Sequence, residues 1–225
     1  LVLSASSRQI RAYLRDGQEI KIAGPGLSFV RSAINRIRRG ALIRVVQYED
    51  DSWGVGQVPE VEAAFVAMNP KTGAVEALVG GFSFSKSKFN HATQAMRQPG
   101  SSFKPFIYSA ALDWTNPRND NDYITASTSF RDEPFTQGDW SPKNYDGSYS
   151  GPMRLRTALT RSKNLVSSRI LDKISPAYAL THVSRFGFNP KNHPNNLTLA
   201  LGSGAVTPLE MARAYSDFAN EGRLP

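Results

Sequence analysis

Arg97-Gln98-Pro99-Gly100-Ser101-Ser102-Phe103-Lys104-Pro105-Phe106-Ile107-Tyr108-Ser109-Ala110-Ala111-Leu112 is the stretch from which the rest of the chain is read. Pro99-Gly100 breaks whatever precedes it. Phe103, Phe106, Ile107 and Ala110 then recur at spacings of three and four, the period of a helix. Pro105 fits such a helix only in its first turn, where a missing N–H costs nothing. Ser101 is therefore expected at the mouth of a helix, with Lys104 one turn on and on the same face. A serine hydroxyl becomes a nucleophile only when a base takes its proton. A lysine can be that base only when neutral, well below its usual pKa of about 10.4. Burial and the positive end of a helix dipole both favour the neutral amine. Backbone N–H groups at the same helix end can face a developing oxyanion. The residues equally allow a plainer reading, a serine N-cap with a solvated lysine in the first turn.

The same Ser-x-x-Lys spacing occurs at Ser83 and Lys86 and at Ser85 and Lys88. Both of those lie in a polar run, residues 83–88, that reads as an exposed loop. Only the third copy opens an apolar helix behind a Pro-Gly break.

Composition bounds the rest. The 225 residues are 40% hydrophobic, enough for one large domain or a domain with a smaller module. There is no cysteine, which excludes disulfides and thiolate metal sites. His91, His182 and His193 show no ligand spacing, so neither metal nor cofactor is expected. The net charge of +8 and sequence pI of about 9.8 favour acidic partners such as anionic lipid, nucleic acid or an anionic polymer. No run of eighteen apolar residues, the length of a membrane span, occurs. A chain that starts on Leu1 and stops at Pro225 reads as a piece of something longer.

Taken in order, residues 1–58 read as a small β-rich module. Residues 18–23 and 41–48 are strand-like, and residues 24–26 and 49–52 are turns. The module carries nine basic against five acidic side chains, densest at Arg36-Ile37-Arg38-Arg39. No aromatic stacking platform accompanies that cluster, so nucleic acid is not expected as a partner. Residues 57–60 mark a boundary. Residues 61–68 and 74–82 form a hairpin around Asn69-Pro70-Lys71-Thr72-Gly73. The helix from Ser101 should end between Asp113 and Asn116. Residues 114–153 read as a long surface excursion with little regular structure. Helices follow at 153–159 and 165–174. Another starts at Ser175-Pro176, and a last one opens on the capping box Thr207-Pro208-Leu209-Glu210.

Several of these pieces together resemble a known family. They are residues 66–75 with Val79-Gly80-Gly81, the stretch 98–112, Trp140-Ser141-Pro142-Lys143-Asn144-Tyr145, Leu159-Thr160-Arg161-Ser162-Lys163-Asn164, and Leu199-Ala200-Leu201-Gly202 with residues 207–212. They are similar to the transpeptidase domain of class A penicillin-binding proteins, the bifunctional peptidoglycan synthases of the bacterial envelope. Residues 1–58 resemble part of the OB-like β insert that precedes this domain. The resemblance implies an α+β fold of the penicillin-binding-protein and serine β-lactamase type over residues 59–225, incomplete here. It implies a D,D-transpeptidase that cross-links stem peptides through a serine acyl-enzyme. Ser101 matches the nucleophile and Lys104 its lysine. Ser162 and Asn164 match the Ser-x-Asn element, with Lys163 in its variable middle. Ser162 would relay a proton, and Asn164 would hold the substrate amide and the lysine. The residues themselves also allow Ser162 to be a cap between two short helices.

In the family a functional Lys-Thr-Gly follows the Ser-x-Asn element. Here Lys71-Thr72-Gly73 precedes Ser101 and fills a hairpin turn, so it is not expected to bind substrate. The resemblance thus implies that the chain stops before a strand carrying the third element. Upstream it implies a glycosyltransferase domain and an N-terminal membrane helix that would anchor the enzyme on the periplasmic face of the inner membrane. Partners implied are D-Ala-D-Ala stem peptides, β-lactams as inhibitors and a protein regulator on residues 1–58. Two other readings stay open. One is a serine carboxypeptidase or β-lactamase that passes the acyl group to water. The other is a non-catalytic basic module on a scaffold, binding a protein or an anionic polymer.

Overall fold

The computed structural model describes residues 1–225. They divide into two compact units, Leu1–Val61 and Glu62–Pro225.

The first unit is a five-stranded sheet. Its strands are β1 (Val2–Ala5), β2 (Gln9–Tyr13), β3 (Glu19–Ala23), β4 (Arg44–Gln47) and β5 (Trp53–Gly56), in the order β1-β2-β3-β5-β4. Neighbours run antiparallel except β3 and β5, which meet in parallel at Ile22 and Trp53. Alternation explains the inner face. Ile10 pairs with Ile22 and Ala12 with Ile20, and all four are buried, whereas Arg11 and Lys21 pair on the outside. Val2, Leu27, Val30 and Val55 complete this core. The amide of Val2 donates to Ala41 O, and Gly40 donates to Val2 O, so the chain entering β4 also bonds to β1. Strands at 19–23 and 44–47 fall within the expected segments, while β1, β2 and β5 were not anticipated. Residues 24–26, expected as a simple turn, instead open a 3-10 segment over residues 24–30 that buries Leu27 and Val30.

The second unit begins with the hairpin β6 (Phe65–Met68) and β7 (Val75–Val79). Its turn is tied by Asn69, whose side-chain oxygen accepts from the amides of Lys71 and Thr72. A short helix α1 (His91–Gln94) follows, then a 3-10 turn, Gly100–Phe103, that runs straight into α2 (Lys104–Asp113). Pro105 sits in the first turn of α2, as its chemistry requires. Phe106, Ile107, Tyr108, Ala110 and Ala111 are all buried, so α2 is enclosed on most sides, the signature of a central helix. Each large apolar side chain buried there contributes on the order of 1.5–3 kcal/mol.

The region 114–153 departs from the sequence reading. It contains a small hairpin, β8 (Thr115–Asn116) with β9 (Asn119–Tyr123), and a long-range antiparallel pair, β10 (Ser129–Asp132) with β11 (Gly151–Arg154). The reason is pairing across a long connection. Ser129 opposes Arg154 and Asp132 opposes Gly151, so the intervening segment is clasped at its base, while most of its residues stay exposed as expected.

Helices then dominate: α3 (Leu155–Thr160), α4 (Asn164–Ile174), α5 (Pro176–Ser184) and α6 (Pro208–Ala219). Ser175 caps α5 by accepting from Tyr178 N, and Thr207 with Glu210 forms the expected capping box of α6. Helix α2 is pinned to its neighbours by polar contacts inside an apolar core. Tyr108 Oη meets Ser167 Oγ of α4 at 3.2 Å. Ser109 Oγ meets His182 Nε2 of α5 at 3.0 Å, and His182 Nδ1 faces Asp113 Oδ2 at 3.2 Å. No helix is long and apolar enough to cross a membrane.

Candidate active site

The candidate site forms where the start of α2 meets the start of α4. Gly100 adopts φ +56° and Gly202 φ +68°, both in the left-handed region that side chains disfavour. The two glycines lie back to back: Gly100 N donates to Gly202 O, and a Cβ on Gly202 would stand 2.1 Å from Gly100 O. Arg97 and Val206 exchange backbone hydrogen bonds just outside this contact. The turn that carries Ser101 is therefore fixed from below by the residue 197–206 segment. Ser101 itself is exposed, and its side chain makes no hydrogen bond. It lines a cleft of about 340 Å³ together with Asn144, Tyr145, Arg161, Ser162 and Asn164.

Lys104 is only 1% exposed. Its Nζ donates to Ser162 O at 2.7 Å and to Asn164 Oδ1 at 2.7 Å, and lies 3.0 Å from Ser162 Oγ. None of these partners carries a charge. Burial therefore acts unopposed and draws the amine down from 10.5 to about 8. The contacts also say which proton can move. The carbonyl and amide oxygens only accept, so they occupy two N–H groups of Lys104 in either state. The third contact can reverse, with an ammonium donating to Ser162 Oγ and a neutral amine accepting from Ser162 Oγ–H.

Ser162 delivers both its carbonyl and its hydroxyl to the same nitrogen because its backbone is turned to φ +52°. For a non-glycine residue that conformation costs about 1–3 kcal/mol and persists only where the surroundings impose it. Here Ser162 N bonds Leu159 O and Lys163 N bonds Ala158 O, closing α3 immediately before α4 begins.

The structure thus places Ser101, Ser162 and Asn164 around one cleft, with Lys104 buried behind it and bonded to Ser162 and Asn164. Lys71, Thr72 and Gly73 stay in the β6–β7 turn. Sequence reasoning missed three further contributors. Lys163, read as the variable middle of its triplet, is 4% exposed and paired with Asp132 at 3.3 Å and Asp146 at 3.0 Å. Asn144 is 5% exposed and hydrogen-bonded to the start of α4. Gly202 supports the turn that carries Ser101. A lysine hemmed in by small polar residues at a helix start was the available signal for Lys163. For Asp132 and Asn144 no local signal exists. No cluster of three or more histidine, aspartate or glutamate side chains is placed to hold a metal ion.

This arrangement defines a class. A family model of the penicillin-binding protein transpeptidase domain matches residues 63–225, and one of the penicillin-binding protein OB-like domain matches residues 1–61. The chain belongs to the penicillin-binding protein transpeptidase domain family. Within it, the chain is similar to penicillin-binding protein 1A of Neisseria flavescens, with 45% identity over 236 residues that cover 99% of this chain and 28% of the relative. Penicillin-binding protein 1A of Escherichia coli K12 is 39% identical over 241 residues, covering 99% of this chain and 27% of the relative. The crystal structure of penicillin-binding protein 1A from Haemophilus influenzae superposes with a TM-score of 0.87 at 36% identity, over 99% of this chain and 33% of that one. PonA1 from Mycobacterium tuberculosis, solved in complex with penicillin V, superposes with a TM-score of 0.60 at 27% identity, over 71% of this chain and 45% of that one. The chain spans a little over a quarter of the length of the curated relatives it matches.

Proposed function

We propose that this chain carries the acylating half of a serine D,D-transpeptidase that cross-links peptidoglycan stem peptides. Residues 59–225 form the transpeptidase portion and residues 1–58 an OB-like module open to a protein regulator. Ser101 Oγ attacks the carbonyl of the D-Ala-D-Ala bond and its proton passes to Lys104. The C–N bond breaks, and D-Ala leaves as an amine protonated through Ser162. An amine of a neighbouring stem peptide then displaces Ser101 from the acyl-enzyme. Asn164 holds Lys104 and faces the substrate amide. A β-lactam enters by the same attack and acylates Ser101. The enzyme works at the periplasmic face of the inner membrane, held by an N-terminal anchor.

The observation that carries this reading is the state of Lys104. A lysine enclosed by neutral acceptors, one of them a hydroxyl able to reverse its hydrogen bond, is suited to take and return a proton near neutral pH. An exposed serine with no hydrogen-bond partner lines the same cleft. The test is intact mass after incubation with benzylpenicillin, followed by peptide mapping. One adduct is expected, on Ser101, and none in Ser101→Ala. Undiminished labelling of that variant would sink the assignment.

A further inference from the structure

We propose that Asn144 is a positioning residue, which through Asn164 sets Lys104 against Ser162. The inference rests on the reading of Lys104 as the base.

Every hydrogen-bonding site of the Asn144 amide is used. Its Oδ1 accepts from Asn164 N at 2.9 Å and Leu165 N at 3.3 Å, and its Nδ2 donates to Asp132 Oδ1 at 2.6 Å and Ser148 O at 2.8 Å. The orientation is forced, because a flipped amide would set its NH₂ against two backbone N–H donors. Those N–H groups are orphans of the first turn of α4. The residue in line to cap them is Lys163, whose side chain makes no cap hydrogen bond. Asn144 thus caps α4 from a distant segment.

The neighbouring residue fixes the rest. Asn164 Nδ2 donates to Lys143 O at 2.9 Å, which leaves Asn164 Oδ1 pointing at Lys104 Nζ. Lys143 and Asn144 between them dictate both the backbone position and the side-chain orientation of Asn164. Behind them Asp132, fully buried, receives Asn144 Nδ2, the amide of Ser150 and the Lys163 ammonium. Lys163 also donates to Asp146 and Ser148 on the far side of the loop. The β10–β11 clasp delivers Asp132, Asp132 orients Asn144, Asn144 sets Asn164, and Asn164 holds Lys104. No charged side chain contacts Lys104 itself; Lys163, Asp132 and Asp146 form a separate cluster.

The test separates positioning from folding by splitting the kinetics of β-lactam acylation into a binding constant and an acylation rate constant. Asn144→Ala is expected to lower the rate constant about 100-fold, the usual result of a misplaced catalytic group, with binding changed no more than about twofold. Asn144→Asp keeps both acceptor contacts to α4 but sets a carboxylate oxygen against buried Asp132 and Ser148 O, so it should not restore the parental rate constant. A second readout needs no acylation. Lys104 is titrated by carbon-13 NMR of labelled lysine, at a temperature where melting curves show each variant folded. In the parent it should titrate near 8, and in Asn144→Ala its midpoint should climb towards the ordinary lysine value as water reaches the amine. Parental rate constants or an unmoved Lys104 titration in folded Asn144→Ala would overturn the inference. Failure of the parent to label at Ser101 would instead count against acylation by this chain alone, and the titration would still decide whether Asn144 holds Lys104 in place.

Discussion

Two lysines stand at the starts of two adjacent helices, and both are almost completely buried, yet their surroundings push them in opposite directions. At the start of α2, Lys104 meets a carbonyl, a hydroxyl and an amide oxygen, and burial lowers its pKa to about 8. At the start of α4, burial acts on Lys163 too, but the hydrogen bonds and charges of Asp146 and Asp132 outweigh it and raise its pKa. Burial alone therefore does not make a base. What distinguishes the regions is the charge of the acceptors. Neutral oxygens satisfy the N–H groups without stabilising the ammonium enough to keep it, whereas carboxylates do. One lysine is held ready to lose a proton and the other is held as a structural cation.

The largest expected effect tests the first half of that contrast. Lys104→Met should cut acylation of Ser101 by about 10²–10⁴-fold, the usual contribution of a general base, when followed as adduct formation against time. In the parent the acylation rate should rise with pH through a midpoint near 8, and this rise should vanish in the variant. The stability signs follow from the same shift. Between about 8 and 10.5 the unfolded chain keeps the Lys104 proton that the folded chain releases, so this group adds stability as pH rises. Lys104→Met should consequently melt no lower than the parent at neutral pH. Lys163 has the reverse sign. Its contribution is complete below the ordinary lysine value and is lost as pH climbs through its raised value.

The second expected effect is thermodynamic. Lys163→Met leaves Asp132 buried without its counter-charge, which should cost about 3–5 kcal/mol in chemical denaturation at neutral pH. If Lys163→Met lost acylation while keeping its stability, the two lysines would have exchanged roles and the contrast would fail. A smaller effect sharpens the geometry. Gly202→Ala places a methyl against Gly100 O and should cost about 1–3 kcal/mol, with slowed acylation because the Ser101 turn must shift. Equal acylation rates in that variant would show that the turn is set without the glycine contact.

The readable part of the site was the part that lies in one helix turn. Phe103, Phe106, Ile107 and Ala110 announced α2, and Pro105 fixed where it starts. Ser162 and Asn164 came from a resemblance, since a Ser-x-Asn triplet between two short helices is otherwise only a capping pattern. The capping box at Thr207 and the Asn69 turn were legible because their chemistry is local. Lys163 was not, because its partners Asp132 and Asp146 reach it from a segment with no periodicity. Strands β10 and β11 are four residues each and carry Asp132, Pro152 and charged neighbours, so no alternation marks them. Their identity depends on each other, and pairing between distant short segments is a tertiary fact. In the first unit, β2 shows alternation, but over five residues only. The open order of the sheet, with β5 between β3 and β4, was beyond any local pattern.

The back-to-back contact of Gly100 and Gly202 has a consequence for heredity. At Gly202 every alternative residue brings a Cβ into backbone, and at Gly100 every alternative occupies a left-handed conformation. No substitution at either position is conformationally silent. A saturation library read out by Ser101 acylation should therefore return glycine at both, while tolerating variety at the exposed residues of the 83–88 loop. The floor beneath Ser101 is a place that cannot change by small steps. Change there has to arrive as paired substitutions or come from the walls of the cleft.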